Sequence, residues 1–409
     1  MLQSIIAIFL VGLHLIGAPG STVVPRVDFV DESPQKHYEF GKNIPFRATI
    51  TSSAPIKEVF VSFQDDSGEI RVGKMDLDSQ GDYIYTYNIS THAIRPGTTI
   101  YYWYRVRFVD DYEERLSYSY PFNYEDNRFE WQSQSDGVFD VHWYEGDKQF
   151  GQMVLNVAHE GLVSAQKLVP LPPPRNLKIY VYSSASELQK ALQLGGQPWV
   201  AGYANPDLGA VMVSIHPGPE QKLELERQIP HELTHVLLYQ ATGLGYSSLP
   251  TWFNEGLASL AELYANPDYT RALDVAREKY ALLPITSLCG SFPQDASGNF
   301  LAYAEAASFT RFLQKTYGTS GLNKLLSSYA NGLGCDDGMR AAFGSSLREM
   351  ETRWQNETLG INISAVVFNN LLPYLILLFL ILLIPFAAGL RSRQVSGGTR
   401  LATPREKSA

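Results

Sequence analysis

The chain has 409 residues, 45% of them hydrophobic and 18% charged, which is the composition of an ordinary globular protein with apolar additions and length enough for two domains. A formal net charge of −9, with no basic stripe in the soluble part, argues against a nucleic-acid surface. Cysteine occurs only at Cys289 and Cys335, neither in a C-x-x-C pair, so one disulfide between them is a simpler reading than metal ligation.

In chain order, Leu2 to Ile16 is mostly apolar and is followed by the small residues Gly17 to Ser21, so residues 1–20 read as a signal peptide. No Lys or Arg precedes the apolar run, which leaves an uncleaved anchor open. Residues 21–128 read as β-structure. The runs Glu58–Phe63, Asp82–Tyr87 and Ile100–Val109 are aromatic and β-branched, with turns at Asp65-Asp66-Ser67-Gly68, Gln80-Gly81-Asp82 and Arg95-Pro96-Gly97. Several short strands between turns predict a sandwich of immunoglobulin or fibronectin type. Its aromatic residues are expected in the core, with binding of a surface partner as the lesser use.

Residues 129–360 mix the two periodicities. Strands are expected over Val138–Tyr144, Leu177–Tyr182 and Ala210–His216, and a helix over Phe150–Lys167. Ser184 and Glu187 form a capping box for a helix reaching about Leu194. Helical periodicity then runs from about Leu223 to Thr242, where Pro230 marks a kink or a start. Further helices are expected from Pro250 and over Asp268–Ala281, Asn299–Lys315, Gly321–Ala330 and Leu347–Asn356. The class is α+β. Within 368–390, Leu371 to Leu390 carries no charge and is long enough to cross a bilayer. Arg391, Arg393, Arg400, Arg405 and Lys407 follow, which places the tail 391–409 in the cytoplasm and residues 21–365 outside.

The chemistry lies in His231-Glu232-Leu233-Thr234-His235, an H-E-x-x-H run. On a helix, residues i and i+4 share a face, so both imidazoles can reach one metal ion while Glu232 stands beside it. The turn Gly243-Leu244-Gly245 lets a second helix fold back, and Glu255 on that helix, 20 residues after His235, can complete a His2Glu zinc set. A zinc ion so held activates water, and Glu232 takes the proton and returns it to the leaving amine.

With Asn254-Glu255-Gly256-Leu257-Ala258 after H-E-x-x-H, the sequence resembles the gluzincin metallopeptidases. The run Pro250-x-Trp252-Phe253-Asn254-Glu255-Gly256-Leu257-Ala258 is similar to the peptidase-MA-like domain of membrane-attached bacterial proteins, over roughly residues 135–355. The resemblance implies a two-lobed catalytic domain, one zinc per chain on His231, His235 and Glu255, and a peptide or protein substrate. It implies a downstream Tyr or His for the oxyanion, for which Tyr303 is the choice, and a cleft edged by the strand Ala210–His216, which leaves His216 as a residue to watch. Many gluzincins carry an Asp four residues after the third ligand. This chain has Ser259 there, and Glu262, seven residues on, reads as a surface or structural carboxylate. No G-x-M-E-N run is present, which favours an endopeptidase. The reading is thus a membrane-anchored extracytoplasmic zinc metallopeptidase. Its rivals are a catalytically silent relative serving as a binding or scaffold module, and a structural envelope protein with an accidental motif.

Overall fold

A computed structural model describes residues 24–89, 93–110, 112–174, 177–194, 202–361 and 371–381. The chain divides into two compact units, residues 1–132 with 182–201, and residues 133–181 with 202–409.

The first unit is built from β1 (Val27–Glu32), β2 (Asn43–Ser52), β3 (Ile56–Gln64), β4 (Ile70–Leu77), β5 (Tyr83–Asn88), β6 (Thr98–Phe108), β7 (Arg115–Leu116) and β8 (Tyr120–Tyr124). The hydrogen-bonded path is β1-β2-β5-β4-β3-β6-β7, with β8 also on β6. Strand β6 shows why these residues fold this way. Ile100, Tyr102, Tyr104, Val106 and Phe108 alternate inward and are all buried. Phe46 of β2 lies 5.0 Å from Phe63 of β3 and 5.3 Å from Tyr102 of β6, across strands that do not pair. The sheet therefore curves so that β2 packs on β3 and β6, strands it does not pair with. Burying two phenols requires partners for their hydroxyls, and Asp31 accepts from both Tyr102 and Tyr104 at 2.6 Å. Asp65 accepts the Ser67 N–H at 3.0 Å, as a hairpin turn requires.

The second unit holds a five-stranded sheet in the order β12-β13-β11-β10-β9. Its strands are β9 (Gln132–Ser135), β10 (Phe139–Trp143), β11 (Leu177–Tyr182), β12 (Gly202–Asn205) and β13 (Ala210–Ser214). Helix α1 (Lys148–Leu168) joins the parallel pair β10 and β11; helix α2 (Ala185–Leu194) falls in the first unit. The cleft-edge expectation for Ala210–His216 is corrected here. Its strand, Ala210–Ser214, is interior, and the edge beside it is β12, a four-residue segment too short to stand out by periodicity.

Helices follow: α3 (Gln221–Thr242), α4 (Thr251–Ala261), α5 (Asp268–Glu278), α6 (Ala296–Ala330), α7 (Cys335–Phe343) and α8 (Leu347–Glu357). One apolar core runs from Val141 of β10 through Leu233 of α3 and Leu257 of α4 to Trp354 of α8. Gly318, at φ 66°, breaks α6 between the two helices expected there. Close approach of α4 to α6 depends on Gly256, where a Cβ would meet Thr310 Oγ1 at 2.1 Å and Ala306 O at 2.7 Å. Cys289 and Cys335 are bonded, tying the segment before α6 to the start of α7. Among the described residues no helix is long and apolar enough to cross a membrane. Residues 371–381 are helical and exposed; residues 1–20, the remainder of the expected span to 390, and the basic tail lie outside the described residues.

Candidate metal centre

Helix α3 buries Leu225, Ile229, Leu233, Val236 and Leu237 on one face, which turns His231 and His235 to the other. Gly243, at φ 56°, ends the helix, and a short 3-10 turn over Gly243–Ser248 brings α4 back against α3. Three donor atoms then converge. His231 Nε2 lies 3.2 Å and His235 Nε2 3.7 Å from Glu255 Oε2, and all three stand within 4.8 Å of one another. Two donors each about 2.0–2.1 Å from a tetrahedral zinc are roughly 3.3 Å apart, so the separations to Glu255 are close to those of a zinc site.

The far sides of the imidazoles are held as a metal site requires. His231 Nδ1–H donates to Glu262 Oε1 at 3.0 Å. His235 Nδ1–H donates to Asn254 Oδ1 at 3.1 Å, and the Asn254 amide in turn donates to the Tyr246 hydroxyl at 2.9 Å. These bonds place a proton on Nδ1 of each ring, so Nε2 is the atom that would face a cation; without one, His231 Nε2 donates to Glu255 Oε2 at 3.2 Å.

Of the two readings of Glu262, surface or structural, the structure removes the first. Its side chain is 3% exposed and it supplies the carboxylate expected at the position of Ser259. Pro230 explains how it arrives. Pro230 lies inside α3, neither starting nor ending it, and lacks the N–H that would bond the Glu226 carbonyl. That carbonyl instead accepts the Leu263 N–H at 2.9 Å, which anchors the chain leaving α4 beside His231. Glu262 could have been found from its seven-residue spacing on the Glu255 face, and Asn254 from its place beside Glu255. Nothing in the sequence singled out Tyr246.

Electrostatics favour a cation at the centre. Glu232, Glu255 and Glu262 surround two imidazoles. Burial pulls the His231 pKa down, but its hydrogen bonds to Glu255 and Glu262 outweigh that and raise it well above the histidine range. Burial opposes ionisation of Glu255, yet His235, His231 and Tyr303 together hold it below the usual carboxylate value. Glu232 is raised, chiefly by burial and also by Glu255, against the pull of the two histidines and the Ala204 N–H of edge strand β12. A carboxyl so raised is a better proton acceptor than an exposed one. Tyr303 faces the same space. Its hydroxyl bonds Glu255, and its ring lies 6.1 Å from that of His231 and 5.0 Å from that of Phe292.

The structure therefore brings His231, Glu232, His235, Glu255 and Tyr303 together. The other histidines stand apart. His37 pairs with Glu32, His142 with Asp140 and His159 with Asp136. His216 joins no metal-capable group among the described residues, and its backbone N–H donates to Glu224 at 3.2 Å. His14 and His92 lie outside the described residues.

A family model described as the Peptidase MA superfamily matches residues 157–360. No curated protein matches the chain. Among solved structures, an M1 zinc metallopeptidase from Deinococcus radiodurans is similar over 80% of this chain and 92% of its own, at 12% identity and a TM-score of 0.34. A carbohydrate-binding module of family 56, a β-1,3-glucan binding domain, is similar over 24% of this chain and 99% of its own, at 14% identity and a TM-score of 0.17. Scores at this level transfer no property to this chain.

Proposed function

From the premise that residues 157–360 form a gluzincin domain of the Peptidase MA superfamily, we propose that this chain is a zinc-dependent metallopeptidase acting on peptide or protein substrates outside the cytoplasm. The observation that carries the reading is the convergence of His231 Nε2, His235 Nε2 and Glu255 Oε2 with Glu232 alongside. When bound, zinc supplies Lewis acidity towards water and the scissile carbonyl. Glu232, its carboxyl raised by burial, accepts the proton of the attacking water and delivers it to the leaving amine. Tyr303 leaves Glu255 to donate to the oxyanion as charge develops there. Glu262 and Asn254 keep the two imidazoles in register throughout.

The finer parts of the reading rest on sequence. An endopeptidase fits the lack of a G-x-M-E-N run. A single C-terminal span with a basic cytoplasmic tail fits the uncharged stretch Leu371–Leu390 and the arginines after it. The first unit is then an extracytoplasmic immunoglobulin-like sandwich, a candidate surface for a partner.

Metal content tests the centre without any guess at a substrate. The purified chain should hold about one zinc, and Glu255→Ala should lose it. Glu232→Gln should keep zinc and lose hydrolysis of a casein-type substrate. A wild-type chain that takes no zinc on reconstitution would end the metallopeptidase reading, as would a Glu232→Gln variant that cleaves as fast as wild type.

A further inference from the structure

Helices α5 and α6 enclose an open groove of about 480 Å³ that takes no part in the metal centre. Its floor is apolar, from Ala272 and Val275 on α5 and Phe300 and Leu301 on α6. Val275 is 43% and Phe300 37% exposed, so the floor faces solvent. Two cations stand on the rim. Arg271 meets Asp268 only at 3.8 Å and its side chain is 82% exposed, and Lys279 makes no ion pair among the described residues. At the end of α5 comes Tyr280, at φ 53° and 75% exposed. Helix α5 closes with the two bonds of a Schellman turn, Ala281 N–H to Ala276 O at 2.8 Å and Tyr280 N–H to Arg277 O at 3.2 Å. Glycine is the usual residue at that left-handed position, and a bulky ring held there in solvent is a strained choice that packing does not require.

The groove adjoins the centre. Phe300 lies one helical turn before Tyr303, and its ring stands 5.3 Å from that of Tyr269, whose hydroxyl is within electrostatic reach of Glu262 and Glu255. From Tyr303 back to Ser297 is about 9 Å of helix, which an extended peptide spans in about three residues.

We propose that this groove is a substrate-recognition site for an extended segment that alternates apolar and acidic side chains. Apolar side chains enter over Val275 and Phe300, and carboxylates face Arg271 and Lys279. Its role as a substrate site rests on the peptidase reading; its binding preference does not.

The test is binding of two fluorescein-labelled decapeptides, one alternating Leu and Glu and the other Leu and Lys, to the full-length Glu232→Gln chain by anisotropy. The Leu-Glu probe should bind at least about tenfold tighter, and Arg271→Glu with Lys279→Glu should reverse the preference. Equal binding of the two probes, binding of neither, or indifference to the charge reversal overturns the proposal. Discriminating binding with no hydrolysis by the wild-type chain would keep the groove and remove the peptidase. Hydrolysis with indiscriminate binding would do the opposite.

Discussion

The Leu263 N–H donates to the Glu226 carbonyl at 2.9 Å, taking the acceptor that Pro230 leaves open within α3. A proline one residue before the first histidine is thus part of the metal centre's construction. It frees one carbonyl on the side of α3 that faces the end of α4, and the chain hung there carries Glu262 to His231.

Pro230→Ala should separate helix stability from metal affinity. Interior proline costs an α-helix about 3 kcal/mol, so the variant has no helical reason to lose stability. Its restored N–H competes with Leu263 for the Glu226 carbonyl. Zinc affinity, read by competition with a chelator, should fall several-fold while the thermal midpoint of the metal-free chain holds or rises. Unchanged affinity would mean that other contacts hold the segment after α4.

Glu262→Gln keeps the size and an acceptor oxygen but removes the charge facing His231. Replacing such an outer carboxylate typically costs about 10–100-fold in metal affinity, and the conservative change belongs at the lower end. Glu262→Ala should fall at the upper end. Affinities equal to wild type in both variants would return Glu262 to a structural carboxylate.

Tyr303→Phe distinguishes two uses of one hydroxyl. As oxyanion donor, its loss should lower kcat by about 10²–10³ with zinc content unchanged. As a mere support for Glu255, its loss should weaken zinc binding and leave the rate per zinc-loaded chain near wild type. Titration of zinc content beside initial rates reads both in one preparation.

The parts of this protein that repeat were legible in its sequence, and the parts that depend on a single long-range contact were not. Strand β6 showed itself because Ile100 to Phe108 alternates along most of an eleven-residue strand, Thr98–Phe108. The ligands showed themselves because helical spacing alone sets His231 beside His235. Edge strand β12 has four residues and no alternation to read, so the interior strand β13 took its place. No helix was expected at α7, a nine-residue element; its two aspartates favour the helix N-terminus, and Asp336 also accepts the Leu347 N–H at 2.7 Å. Glu262 was misjudged because its partner depends on a bond from Leu263 back to Glu226, 37 residues earlier in the chain, which no local pattern encodes.

Glu305 gives the fold a pH dependence with a definite sign. It is fully buried on α6; Oε1 accepts the Leu283 N–H at 2.9 Å and Oε2 has no partner among the described residues. Burial pushes its pKa from 4.5 up to about 8, with Glu351 adding to the rise and the Leu283 N–H opposing it. Below pH 4.5 the carboxyl is protonated folded or unfolded. Between 4.5 and 8 the folded chain binds a proton that the unfolded chain releases, so stability falls as pH rises through that window and levels off above it. The loss is on the order of a few kcal/mol. Glu305→Gln keeps an acceptor for Leu283 and removes the titration. Urea midpoints at pH 5 and pH 8, at constant ionic strength, should therefore differ less in Glu305→Gln than in wild type, with the variant the more stable at pH 8. Wild-type and variant midpoints that shift in parallel would show that Glu305 titrates as an ordinary carboxylate.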